Sequence, residues 1–293
     1  MNLSGVFPPI CTPFLADGEF SAHKLRANVE KWRTTGLAGF CATGSTGESK
    51  LLSHDEKLKI WQTLRDAAPD MPLIAGASGE SVRETIALIN EAATIGYGGA
   101  LVLNSHYYKG QMMRPESQLL FFRAAADSAK IPVIIYNFPQ NTGIDLSIDV
   151  IVQLSEHPNI IGMKESSGSV EKITRIVNEA HSGFQVVTGN APTFYQSLCS
   201  GAVGAVLAFA NPAPRACVAV YEGWKTGDHA KALAAQRHIA RAGSLIGSKY
   251  QIPGLKHALD FNGYYGGPVR PPLLALTPGA KKEIEELFAD IRG

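Results

Sequence analysis

An α/β chain closed into a (β/α)8 TIM barrel with a C-terminal helical extension is the fold the sequence predicts, on three observations. Short apolar runs alternate strictly with amphipathic segments eight times between Val6 and Trp224, the strands are β-rich and apolar on both faces, and the pattern changes to helix alone beyond Trp224. Parallel strands joined by right-handed crossovers follow from that alternation, and eight is the number that closes a barrel. A doubly wound open sheet competes, but no early strand leads into the G-x-G-x-x-G turn expected of an open dinucleotide-binding sheet.

Taken in order, Val6–Thr12 reads as the first strand, and Ser21 caps a helix to Thr34. Ala38–Ala42 and the turn Gly44–Glu48 precede a helix over Ser53–Ala67, opened by a capping box, Ser53 to Glu56. Pro72–Gly76 leads to a helix over Ser81–Ile95, Gly99–Asn104 to one over Pro115–Lys130, and Val133–Asn137 to one over Ser147–Glu156. Ile160–Lys164 leads to Ser169–His181, Gln185–Gly189 to Pro192–Cys199, and Gly204–Ala208 to the last helix of the series, from Pro212. Helices over Asp228–Gly247, Pro253–Asn262 and Pro278–Ile291 make the tail, with Gly263–Pro268 as a turn. Residues 1–224 are therefore assigned to a catalytic barrel and 225–293 to the extension.

Composition narrows the function. With 27 basic and 26 acidic residues the net charge is +1, and no run of either sign suggests nucleic acid or a membrane surface as partner. Met1–Pro13 lacks a basic segment before an apolar core, and no apolar stretch is long enough to span a bilayer, so a soluble cytoplasmic protein is expected. Cys11, Cys41, Cys199 and Cys217 are widely spaced, which predicts reduced, buried thiols. No two of the eight histidines have H-E-x-x-H spacing, so neither a metal nor an organic cofactor is expected.

In a barrel the chemistry lies at the carboxyl ends of the strands. The sixth strand, Ile160-Ile161-Gly162-Met163-Lys164, ends in a lysine, and alternation places Ile160, Gly162 and Lys164 on one face with Ile161 and Met163 on the other. On this stretch alone snorkelling is the simpler account; the sharper one is an amine kept neutral by partial burial and able to attack a carbonyl. The fifth strand turns Ile134 and Tyr136 into the mouth. The fourth is followed by His106, Tyr107 and Tyr108, and the second by Gly44-Ser45-Thr46-Gly47-Glu48, whose amides suit a carboxylate. Each feature alone reads as ordinary core or turn; their joint placement at strand ends reads as a site.

Gly44–Ser49, Tyr107-Tyr108, Tyr136-Asn137-Phe138-Pro139 with Thr142-Gly143, and Gly162-Met163-Lys164-Glu165 together resemble the signature set of the dihydrodipicolinate synthase and N-acetylneuraminate lyase superfamily. The resemblance runs from about Gly5 to the C-terminus and implies a Schiff-base aldolase or dehydratase acting on pyruvate or another 2-keto acid, usually as a homotetramer. It implies that Lys164 forms the imine, that Tyr136 moves protons with Ser45 and Tyr108 as relay partners, and that Tyr107 or Tyr108 crosses a subunit contact. It also implies that the N–H groups of Ser45 and Thr46 hold the keto-acid carboxylate and that the backbone at Val206 lines the pyruvate site.

Two departures bear on the substrate. Synthases of lysine biosynthesis normally carry an arginine where this chain has Asn141, and an asparagine cannot supply a charged bidentate fork. Glu80 replaces an asparagine of the lysine-inhibition site, which argues against feedback inhibition. The runs His157–Lys164, Ile252–Lys256, Gly263–Pro268 and Tyr107–Met112 resemble 4-hydroxy-2-oxoglutarate aldolases most. The expected reaction is cleavage of a 4-hydroxy-2-keto acid to pyruvate and an aldehyde, with Asn141 and His106 as substrate-binding residues, His106 as a polar contact beside the tyrosines. A dihydrodipicolinate synthase, a 2-keto-3-deoxy sugar-acid aldolase or dehydratase, and a catalytically silent keto-acid-binding barrel are the alternatives.

Overall fold

The computed structural model describes residues 1–292. Eight parallel strands form one sheet: β1 (Gly5–Phe7), β2 (Phe40–Ala42), β3 (Leu73–Gly76), β4 (Gly99–Leu103), β5 (Val133–Asn137), β6 (Ile160–Glu165), β7 (Gln185–Thr188) and β8 (Gly204–Val206). From β2 to β8 each strand pairs with its sequence neighbour, and β8 returns to β1. The remaining seam closes through a parallel bridge between Pro9 and Cys41, where Ile10 N donates to Cys41 O at 2.8 Å and Cys41 N donates to Pro8 O at 3.0 Å. The first strand is shorter than expected because Pro8 and Pro9 have no N–H to give a ladder.

Inner-facing Phe7, Cys41, Ile74, Leu101, Ile134, Val187 and Val206 fill the barrel, while the alternate residues meet the surrounding helices. Alternation holds in β5 and is broken once in β6. Val133 pairs with Ile160 but Ile134 pairs with Gly162, so Ile161 is an extra residue. As a result Ile160 packs outward and Ile161 packs against the inner cluster, the reverse of strict alternation, while Gly162 and Lys164 still face inward. A side chain at Gly162 would sit 2.2 Å from the Gln185 carbonyl oxygen, so only glycine fits beside β7.

The capping box is present: Glu56 N donates to Ser53 Oγ at 3.2 Å and Ser53 N to Glu56 Oε2 at 2.8 Å. Two short helices in the mouth, Lys109–Met112 and Pro139–Thr142, break what the sequence reads as plain loops. The last helix of the barrel series, Pro214–Lys225, is followed by His229–Leu245, a π-helical turn Ile246–Tyr250, Gln251–Phe261 and Pro278–Leu287. That turn bridges the gap expected between the first two tail helices. Ile284, Phe288 and Ile291 join the main core, and Phe288 packs on Phe209 at 5.3 Å between ring centroids. Three cysteines are buried as expected; Cys199, at the end of helix Phe194–Cys199, is exposed instead. No helix among the described residues is long and apolar enough to cross a membrane.

Candidate active site

Tyr136 and Lys164 stand at paired register positions on β5 and β6, so the ladder itself brings them together. Lys164 is 5% exposed, and its Nζ lies 4.2 Å from the centre of the Tyr136 ring. The ring stacks on Phe138 at 5.6 Å and 16°. Space for the lysine depends on Gly189, since a Cβ there would lie 2.8 Å from Lys164 Cε. Inside the barrel Cys41 is pushed up to about 11 by burial, against the pull of the Lys164 charge.

The outer side of the same two strand ends is tied by polar groups. Asn137 Nδ2 donates to Glu165 Oε2 at 2.8 Å and to Asp145 Oδ1 at 2.7 Å, and Asn137 Oδ1 accepts from Leu146 N at 3.1 Å. Lys172 pairs with Asp145, lies 3.6 Å from Glu165 Oε2 and donates to the Leu146 carbonyl at 2.6 Å. Glu165 and Lys172 are buried and Asp145 lies at the rim, and this shared network makes a mount for the inward neighbours, Tyr136 and Lys164.

After β2, Thr43 and Glu48 hold left-handed φ angles of 53° and 57°, bracketing the turn Ser45–Gly47. Such a conformation persists in a non-glycine residue only when its neighbours fix it. Trp61 Nε1 donates to Thr43 Oγ1 at 2.7 Å, and Thr43 Oγ1 is also 2.8 Å from the Ala42 carbonyl. Glu48 Oε1 lies 2.6 Å from Lys256 Nζ, and Glu48 Oε2 accepts from Arg270 N at 2.9 Å. The C-terminal extension thus holds the turn. The N–H groups of Ser45 and Thr46, first in their 3-10 turn, have no partner within it and are free for an acceptor.

A cleft of about 310 Å³ opens over these elements, lined by Gly44, Ser45, Tyr136, Asn141, Thr142 and His106 together with Lys50 and Lys57. Four of the expected residues, Ser45, His106, Tyr136 and Asn141, are brought together in its wall. Lys164 is outside that wall and lies one side chain deeper, against the Tyr136 ring. Thr46 is half-buried in the glycine turn, and Val206 packs its side chain into the barrel interior. Tyr107 and Tyr108 are not in the cleft of a single protomer: they are 77% and 72% exposed and stack edge to face at 5.2 Å.

Ser166 was missed by the sequence reading. Its hydroxyl is buried without a partner, and a Cβ on Gly189 would lie 1.9 Å from that oxygen and 2.8 Å from Lys164 Cε, so the two flank the same point. Alternation carries the signal, because 162, 164 and 166 share a face. No three His, Cys, Asp or Glu side chains converge as a metal site among the described residues.

A closed barrel with a buried amine against a phenol at its carboxyl mouth defines a class, the imine-forming carbon–carbon lyases. Comparison with known proteins agrees. A model of the Dihydrodipicolinate synthetase family matches residues 2–291. The chain is 35% identical over 291 residues to the 4-hydroxy-tetrahydrodipicolinate synthase of Methanothrix thermoacetophila, covering 97% of this chain and 95% of that one. It is 36% identical over 292 residues to the "Probable 4-hydroxy-2-oxoglutarate aldolase, mitochondrial" of Emericella nidulans, covering 98% and 94%. A prophage protein of the dihydrodipicolinic acid synthase family from E. coli K12, solved in complex with pyruvate, superposes with a TM-score of 0.94 at 28% identity over 99% of both chains. The chain belongs to the dihydrodipicolinate synthetase family and is a class I, Schiff-base aldolase.

Proposed function

We propose that the enzyme cleaves a 4-hydroxy-2-keto acid of the 4-hydroxy-2-oxoglutarate type to pyruvate and an aldehyde, with Lys164 as the imine-forming amine. The observation that carries the reading is the burial of Lys164 against the face of the Tyr136 ring at the mouth. That placement sets the amine at the base of the cleft, where it can reach the keto carbon of a bound substrate. Lys164 adds to C2 of the keto acid, and loss of water from the carbinolamine gives the iminium. Tyr136 takes the proton of the C4 hydroxyl; the C3–C4 bond breaks, its electrons passing to the iminium to leave the enamine of pyruvate and free the aldehyde. Protonation at C3 and hydrolysis return pyruvate and the amine.

Ser45 and Tyr108 relay the Tyr136 proton, and the N–H groups of Ser45 and Thr46 hold the C1 carboxylate without a side-chain cation. Tyr107 or Tyr108 acts from a neighbouring copy: two stacked tyrosines standing in solvent beside a cleft are what an assembly contact covers, consistent with a homotetramer. Residues 1–224 carry the reaction, and 225–293 brace it through Lys256 and Arg270.

Two observations favour this substrate class. Asn141 lines the cleft where a synthase places its arginine, and the relative from Emericella nidulans carries the aldolase name. The Methanothrix relative favours a second reading, condensation of pyruvate with aspartate semialdehyde. Borohydride reduction with pyruvate tests the amine: a stable adduct on Lys164 is expected, and none in Lys164→Ala. A panel of 4-hydroxy-2-keto acids, sugar-derived 2-keto acids, and aspartate semialdehyde with pyruvate tests the substrate. Fastest turnover is expected for the first group; faster condensation with aspartate semialdehyde would overturn the ranking.

A further inference from the structure

We propose that His106, held by Glu80, recognises a second carboxylate on the substrate, the one that departs with the aldehyde half. This rests on the imine-forming reading above and extends it to the end of the substrate remote from Lys164. A five-carbon dicarboxylic keto acid needs a donor there, and the neutral Asn141 is a weak one for a carboxylate. His106 lies three residues beyond Leu103, which pairs with Tyr136 across β4 and β5, so it stands over the same part of the cleft as the phenol.

The environment of His106 settles its tautomer. Its Nδ1 lies 3.0 Å from Glu80 Oε1 and 3.2 Å from the Asn104 carbonyl oxygen. Two acceptors face that nitrogen, so it carries the hydrogen. Both contacts fall on Nδ1, which leaves Nε2 for the cleft. With hydrogen on both ring nitrogens, Nε2–H donates a charge-assisted hydrogen bond to a carboxylate arriving there.

Glu80 is the positioning residue. Its Oε2 accepts from Ser105 Oγ at 2.9 Å, His106 N at 2.9 Å and Tyr107 N at 3.0 Å. Burial opposes the charge on Glu80, but these donors outweigh it and hold the carboxyl below its ordinary range. One carboxylate therefore fixes both the backbone and the ring of the segment over the mouth. Lys50 and Lys57 reach the same cleft from the side of β2, and they are the competing cations.

The test compares two keto acids that differ at the far end only, 2-oxoglutarate and 2-oxopentanoate, by the concentration of each that half-saturates borohydride trapping on Lys164. Wild-type enzyme is expected to prefer 2-oxoglutarate by about tenfold, the worth of one hydrogen bond to a charged group. His106→Gln should abolish that preference by weakening half-saturation by 2-oxoglutarate far more than by 2-oxopentanoate, and Glu80→Gln should reduce it. No preference in the wild type would overturn the inference, as would a preference that survives His106→Gln, or one lost in Lys57→Met instead. Failure of the wild type to trap pyruvate at all would sink the imine reading itself.

Discussion

Lys164 and Lys256 are both buried lysines, and they sit in regions built to opposite ends. Lys256, 1% exposed, belongs to the extension and is fully engaged: Glu48 at 2.6 Å, the Pro268 carbonyl at 2.7 Å and the face of Phe14 at 4.4 Å. Lys164, 5% exposed, has the Tyr136 ring and no carboxylate, although Glu165 is its chain neighbour. That glutamate points to the other face of the strand and is taken by Asn137 and Lys172. Burial alone therefore does not make a reactive amine. A paired lysine braces the fold; an unpaired one beside a cleft is left available to condense with a carbonyl.

Separating the phenol from the amine sharpens this contrast most. Tyr136→Phe keeps the aromatic surface beside Lys164 and removes only the proton carrier. Turnover should fall by about 10²–10⁴-fold, the usual worth of a positioned acid or base. Borohydride trapping of pyruvate should persist. Loss of trapping in Tyr136→Phe would mean that the ring hydroxyl is needed for the imine to form, and not only for the later proton transfer.

The paired lysine should behave differently. Lys256→Met leaves Glu48 buried without its counter-charge, which costs about 3–5 kcal/mol of stability by denaturant unfolding. Adding Glu48→Leu should restore part of that loss, because no lone charge then remains. A Lys256→Met protein of wild-type stability would show that the pair is not the brace described.

Local signals were the legible ones. Strand order, the capping box at Ser53, and the inward pair Ile134 and Tyr136 follow from periodicity and short-range chemistry. The Ile161 bulge was not legible, because it arises where Gly162 meets the carbonyl of Gln185 on another strand. The pairing of Glu48 with Lys256 joins residues far apart in the chain, and nothing near either one names the other. Both residues stand inside motifs quoted for their likeness to relatives, so the positions were visible while the contact was not. Ser166 lay within reach, two residues beyond Lys164 on one face, yet only its missing partner in the fold marks it.

Ser166 gives a smaller effect of opposite sign in its two readouts. Removing a buried hydroxyl that has no partner relieves a desolvation cost of about 1–3 kcal/mol, so Ser166→Ala should be as stable as the wild type or more so. If the hydroxyl meets substrate, kcat/KM should fall by roughly tenfold at the same time. A drop in stability with unchanged kcat/KM would assign Ser166 to the fold alone.

The mildest contrast lies at the rim, where Arg270 meets Glu56. Arg270 Nη1 donates to Glu56 Oε2 at 2.8 Å, and its guanidinium also reaches the carbonyls of Gly18 and Leu51. The hydrogen bond from Arg270 lowers the Glu56 carboxyl from 4.5 to about 2, against a partial desolvation. A folded-state value below the unfolded one favours the native state fully above 4.5 and loses that contribution as pH falls from 4.5 towards about 2. Glu56→Gln should therefore be less stable than the wild type at neutral pH, with the gap in thermal midpoint closing across that acid window. A gap that stays constant with pH would mean that Glu56 contributes through the helix cap and not through its charge on Arg270.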